Sequence, residues 1–159
     1  MADDLNMNGT LYVCATAQHN TNLNQAGFEA LIWVEVGKLV TLPQVGFEAN
    51  VVTQNYVNTD FSSDAKGFIN GTASEVMVGR DPADAGQIIL RTAANSRYRY
   101  AFKRVYADAV SGFTATTAYF RALVSSQLDA GGGGEEFDNE TFGIKVTAQK
   151  PIIVAPEAI

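Results

Sequence analysis

Alternation of apolar and polar residues dominates this chain, and that period belongs to strands. From Arg97 to Tyr106, aromatic side chains occupy even positions (Tyr98, Tyr100, Phe102, Tyr106), while Arg97, Arg99 and Lys103 occupy odd ones. Successive side chains of a strand point to opposite faces, so this segment carries one aromatic and one largely cationic face. Ala118, Phe120, Ala122 and Val124 share a face in the next run, and Phe142, Ile144, Val146 and Ala148 alternate with polar neighbours further on. Thr10–Thr16 and Ala30–Val36 are apolar and rich in strand formers. Phe47–Val57 and Phe68–Val78 are weaker strands with polar insertions, and the polar stretch 58–67 between them reads as a long loop.

One segment departs from this period. Asp81-Pro82-Ala83-Asp84 supplies an N-cap, a proline at the first helical position and an acid at the third. Ala85, Ile88, Ile89 and Ala93 follow at helical spacing and Asn95 stops them, which predicts one short helix over about residues 82–94, packed by its isoleucines. The fold class expected is mainly β: a β-sandwich or barrel with one flanking short α-helix, a long loop and extended terminal arms. Residues 1–150 form a single domain in this reading, with an N-terminal arm over 1–9 and a long hairpin and loop over 44–66. A C-terminal arm over 151–159 is apolar, bounded by Pro151 and Pro156, and too greasy to be left in water. It docks either on its own domain or on a neighbour.

With 159 residues, 47% of them hydrophobic and 18% charged, the chain can bury a core of its own. No apolar run reaches the ~20 residues a membrane span needs, and the acidic start Met1-Ala2-Asp3-Asp4 is unlike a secretory leader, so synthesis in a cytoplasm is expected. Cys14 is the single cysteine, which excludes an intrachain disulfide, and its apolar strand predicts a buried thiol. The net charge of −6 speaks against a conventional duplex-DNA binder. The charges are also segregated. Met1–Gly79 holds eight acids against two lysines, Arg80–Arg121 seven bases against three acids, and the remainder six acids against two lysines. Such blocks pair within one fold or between copies.

Candidate chemistry is sparse. His19 is the only histidine, set in a polar loop without a local triad pattern. Gly131–Gly134 lacks the lysine and hydroxyl of a phosphate loop and reads as a linker. Glu135, Glu136, Asp138 and Glu140 are a solvated acidic loop in one reading and a hard-cation site in another. No cofactor or metal motif is present, and the expectation is a protein that is not an enzyme.

The order of elements then becomes informative. A tryptophan-bearing strand, Ala30-Leu31-Ile32-Trp33-Val34-Glu35-Val36, leads through Leu42-Pro43 into the long hairpin region and on to Ala65–Thr72. The helix beginning Asp81-Pro82-Ala83-Asp84 follows, then the Tyr98–Tyr106 strand, Phe120–Ser126 and Phe142–Ala148. This layout resembles the major tail tube proteins of lambda-like siphophages and gene transfer agents, over most of residues 30–148. The resemblance rests on order and spacing, and it carries no catalytic residues.

It implies a virion protein of the tail, made in the bacterial host cytoplasm, whose homohexameric rings stack into a hollow tube that conducts the genome into the host. Its partners would be itself, a tape measure protein and a tail terminator. DNA would pass transiently without specific binding, and no membrane would be involved. Contacts between rings are expected from Gln44, Val45, Gly46 and Phe47 together with Asn58, Thr59, Asp60, Phe61, Ser62, Ser63 and Asp64. Pro151, Ile152, Ile153 and Val154 would clasp a neighbour. Glu29, Glu35, Glu48 and Glu75 are the candidates for an acidic lumen that repels phosphates. Two readings stand beside this one: a monomeric β-sandwich module binding carbohydrate or peptide, and a small hydrolase working through carboxylates.

Overall fold

A computed structural model describes residues 9–159; of the N-terminal arm expected over 1–9, residues 1–8 lie outside the described part. Seven antiparallel strands form one path, and two short helices accompany them. Along the chain run β1 (Thr10–Cys14), α1 (Gln25–Glu29), β2 (Trp33–Glu35), β3 (Leu39–Thr41), β4 (Phe47–Gln54), β5 (Ser63–Gly71) and β6 (Ala73–Gly79). They are followed by α2 (Ala85–Ala94), β7 (Tyr100–Val105), β8 (Thr117–Asp129), β9 (Asn139–Val146) and β10 (Ile152–Val154). The main sheet has the order β2-β1-β7-β8-β9-β6-β3, with β10 paired to the first residues of β8. Among the described residues, β4 and β5 pair only with each other.

The order forces curvature. β2 and β3 lie on opposite margins of the sheet, yet only Val36-Gly37-Lys38 joins them. Six inter-strand spacings in a flat sheet would part the margins by roughly 29 Å, whereas such a link reaches about 14 Å. The sheet therefore rolls into an open barrel, and α2 lies at the seam. Gln87, fully buried, donates from Nε2 to the carbonyls of Gly37 at 3.0 Å and Gly79 at 2.9 Å, one from each side of the gap. Its Oε1 accepts the Asp81 N–H at 2.9 Å. A Cβ on Gly86 would stand 2.4 Å from the carbonyl oxygen of Glu35, so only glycine permits this approach of helix to seam.

The helix departs from expectation in two details. Its N-cap is Asp84, which accepts the N–H of Gln87 at 3.0 Å and also that of Gly37 at 3.1 Å. Asp81 is spent on a turn, accepting the Ala83 N–H at 3.0 Å and lying 3.4 Å from Lys38 Nζ, so Pro82 precedes the helix. The docked face consists of Gly86, Gln87, Leu90 and Ala93, with Ile89 beside them, while Ile88 stays in solvent. Of the two helices, the pattern showed one; α1 is too short to display a period.

Inside the barrel, Leu11, Val13, Val76, Val78, Phe102, Phe120, Val124, Phe142, Ile144 and Val146 form the core with Leu90, and the rings of Phe102 and Phe120 stack at 5.4 Å. A second cluster covers part of the outer face, where Phe28 of α1 stacks on Tyr119 beside Cys14, Trp33, Ile152 and Val154. Cys14 is buried as expected. The C-terminal segment docks on its own chain. Ile152 pairs with Tyr119 and Val154 with Thr117, Thr114 N–H donates to Glu157 O and Ile159 N–H to Gly112 O.

Two buried polar centres complete the body. Arg121, 1% exposed, donates to the carbonyls of Gln18 (2.8 Å) and His19 (2.6 Å), to Asn22 Oδ1 (2.7 Å) and to Gln149 Oε1 (3.3 Å), pinning the loop after β1. Burial and the nearby Arg99 charge hold its pKa below the usual arginine value. Glu140, also 1% exposed, takes Nε and NH2 of Arg91 (2.9 Å to NH2) and Gln127 Nε2 at 2.7 Å. Burial pushes its carboxyl up, yet the hydrogen bonds from Arg91 and Gln127 and the charges of Arg91 and Arg80 outweigh it and hold the pKa below the ordinary value.

Candidate assembly interface

The β4–β5 ribbon is the part of the molecule that its own chain leaves unfinished. Among the described residues, each strand edge facing away from the other is unpaired, and a lone two-stranded ribbon is marginal in water. Among the described residues, the ribbon is tied to the body at its base. There Thr72 donates its N–H to Gly46 O at 3.1 Å, Gln44 donates its N–H to Ser74 Oγ at 3.0 Å, and Val146 donates its N–H to Thr72 O at 2.9 Å. Eight residues of strand carry the tip roughly 26 Å from that base.

Register explains what the ribbon offers. Phe47 pairs with Gly71, Ala49 with Ile69 and Val51 with Lys66, which places Phe47, Ala49, Val51 and Ile69 on one face. Glu48, Val52, Phe68 and Asn70 fall on the other, and a bulge between Ala49 and Val51 twists the strands as they leave the body. Both faces carry large apolar side chains in solvent. Phe68 is 86% exposed and Phe61, at the tip, 87%, with Val51, Val52 and Val57 similarly open. Apolar groups on two faces and at the tip of a projecting ribbon form a surface that asks for a partner.

The two expected groups of ring contacts occupy opposite ends of this ribbon. Gln44, Val45, Gly46 and Phe47 lie at the base, with Val45 packed against the core, whereas Asn58–Ser62 form the tip and Ser63–Asp64 begin β5. The loop expected over 58–67 is shorter, because Ser63–Gly67 are already strand. The acidic candidates are dispersed. Glu35 and Glu75 face outward from strands far apart in the sheet order, Glu48 sits on the ribbon, and Glu29 ends α1, where it accepts from Gln25 Nε2 at 3.0 Å. Of the C-terminal arm, Ile152 and Val154 pack inward and Ile153 faces solvent.

Strand Phe68, Val52 and Val51 were missed as surface groups. Their signal was present as apolar residues in segments lacking a clean inward face. Glu140 stands next to the acidic loop in sequence, yet it shares the parity of Phe142, Ile144 and Val146, which marks it as inward-facing. Of the other chemistry considered, His19 Nδ1 accepts the Arg99 N–H at 3.2 Å and its ring meets Tyr98 edge-on. Lys103 lies over Tyr12 at 4.4 Å and Trp33 at 5.5 Å, and burial lowers its pKa. Asp138 pairs with Arg80 at 3.6 Å and Glu140 with Arg91, so the acidic run does not converge. Among the described residues, no three His, Cys, Asp or Glu side chains are grouped to hold a metal, and no helix is long and apolar enough to cross a membrane.

Neither a family model nor a curated protein matches the sequence. Solved structures do. A chain of the anti-feeding prophage baseplate, determined by cryo-electron microscopy with six-fold symmetrisation, superposes with a TM-score of 0.62 at 10% identity, covering 97% of each chain. A chain of the SPP1 tail tube superposes at 0.55 and 12% identity, over 92% of this chain and 77% of that one. The likeness is one of fold. It fits the mainly β architecture with its seam helix, the class expected from the alternation pattern.

Proposed function

We propose that this chain is a non-enzymatic structural subunit of a phage-type tail tube, closing into homohexameric rings that stack into a hollow conduit for the genome. The observation that carries the reading is the β4–β5 ribbon, whose strand edges and apolar faces remain in water until another copy covers them. Cyclic association of identical copies removes such surface without leaving a free edge, and continued stacking extends the tube. The fold shared with the baseplate chain and the SPP1 tail tube chain supports the same reading. In it, the virion tail is the location, a tape measure protein and a tail terminator set the length, and DNA passes without sequence-specific contact. The ring-contact residues are those of the ribbon, Phe47, Val51, Val52, Phe61 and Phe68 above all. Glu29, Glu35, Glu48 and Glu75 remain the proposed contributors to an acidic inner wall.

Sedimentation velocity and negative-stain microscopy across a concentration series test it. The wild type forms rings and tubes as concentration rises. Val52→Ser combined with Phe68→Ser keeps the monomer's melting temperature and loses the rings. A wild-type protein that stays monomeric throughout, with a tail template present, overturns the proposal and leaves a solitary binding module in its place.

A further inference from the structure

The two ends of β9 carry complementary surfaces. At its C-terminal end, Lys145 and Lys150 border a cleft of about 350 Å³ floored by Phe47 and Ile69, with Lys150 Nζ 4.8 Å above the Phe47 ring. At its N-terminal end, the loop from Ala130 to Asp138 presents Phe137, 87% exposed, immediately after Glu135 and Glu136. Among the described residues, ion pairs engage Lys38, Arg80 and Arg91 only, so no described side chain of opposite charge pairs with the two lysines or with these two glutamates, and Lys145 Nζ donates to the Gly71 carbonyl. Strand β9 holds the surfaces roughly 24 Å apart. One molecule thus has an aromatic group with acids at one end and, at the other, a cleft in which apolar Phe47 and Ile69 lie beside cations and polar groups. Gly131 and Gly132, with φ of +65° and +137°, give the loop backbone freedom to adjust.

We infer that the Glu135–Phe137 loop of one copy docks in the Phe47–Ile69–Lys145–Lys150 cleft of the next, a head-to-tail contact along the β9 direction. Phe137 fills the apolar floor while Glu135 and Glu136 meet the lysines. Such a heterologous contact repeats without closing and is suited to the joint between successive layers. The inference rests on the self-association reading above, and it names a contact apart from the ribbon tip.

A charge swap tests it, read as the concentration at which half the protein sediments as assemblies, with monomer melting followed alongside. Lys150→Glu alone, and Glu136→Lys alone, each raise that concentration at least tenfold. Combined, they bring it back to within about threefold of the wild type. Phe137→Ser raises it as well and gains nothing from Lys150→Glu. A combined variant no better than its parents overturns the contact, as does assembly indifferent to Lys150→Glu, or rescue of Lys150→Glu by Asp60→Lys with Asp64→Lys at the ribbon tip. If the wild type itself never assembles, the self-association reading falls first and this contact with it.

Discussion

Replacing Arg91 with methionine uncovers the buried charge at Glu140 and also removes the NH2 donor from Gln87 Oε1 at 3.0 Å. The substitution keeps helix propensity and most of the stem, but removes the Nε and NH2 donors that face a carboxylate only 1% exposed. Gln127 remains as its one partner. Breaking one side of a buried ion pair costs about 3–5 kcal/mol, against the ~5–15 kcal/mol that holds a typical domain. With a urea slope near ~2 kcal/mol/M, the midpoint falls by roughly 2 M. Trp33 is the sole tryptophan and packs near Tyr119, so its fluorescence reports the unfolding directly. The pH dependence has a definite sign. In the wild type the folded Glu140 pKa lies below its unfolded value of 4.5, so its contribution is complete above 4.5 and fades as pH falls through the lower folded value. In Arg91→Met, burial without the guanidinium raises the folded pKa above the unfolded one, and the penalty shrinks as pH falls from 7 toward 4.5. Adding Glu140→Met then recovers more than half of the loss, because no charge is left buried. A loss below about 1 kcal/mol, a loss that stays constant with pH, or a double variant as poor as the sum of the singles refutes the argument.

Three further predictions concern the seam and the loop. Gly86→Ala gains about 1 kcal/mol of helix propensity yet drives a Cβ into the Glu35 carbonyl, so we expect a net loss of about 1–3 kcal/mol by urea titration and a weakened α2 in hydrogen exchange. Gln87→Leu leaves the carbonyls of Gly37 and Gly79 and the N–H of Asp81 without partners, and the expected cost is about 3 kcal/mol, visible as a lower melting temperature. Arg121→Met frees the loop from Gln18 to Asn22, which limited proteolysis detects as new cleavage there before global unfolding.

Strands packed on the interior were legible because burial on one face imposes alternation. Phe142, Ile144 and Val146 show it throughout β9. Where the parity breaks, the reading breaks with it. A bulge between Val124 and Ser126 turns Gln127 inward to Glu140 and leaves Leu128 in solvent, although simple alternation from Phe120 would do the reverse. The ribbon was legible as a hairpin but its exposure was not, since its apolar residues serve no interior of this chain and so follow no inward period. Asp84 displaced Asp81 as the helix cap for a reason outside local sequence: the Gly37 N–H, 47 residues away, needs the same carboxylate. Under the proposed assembly the interface residues are harder still to read, because the partner that gives them order is a second molecule.

The placement of β9 has a consequence for how the protein is made. This strand lies between β8 and β6, and without it the sheet falls into two parts, β2-β1-β7-β8 on one side and β6-β3 on the other. A nascent chain therefore has no continuous rolled sheet until residue 146 has left the ribosome, which at about 5–20 residues per second leaves both fragments exposed for seconds after their strands exist. The apolar ribbon, emerging well before that moment, meets water on a body still in two halves.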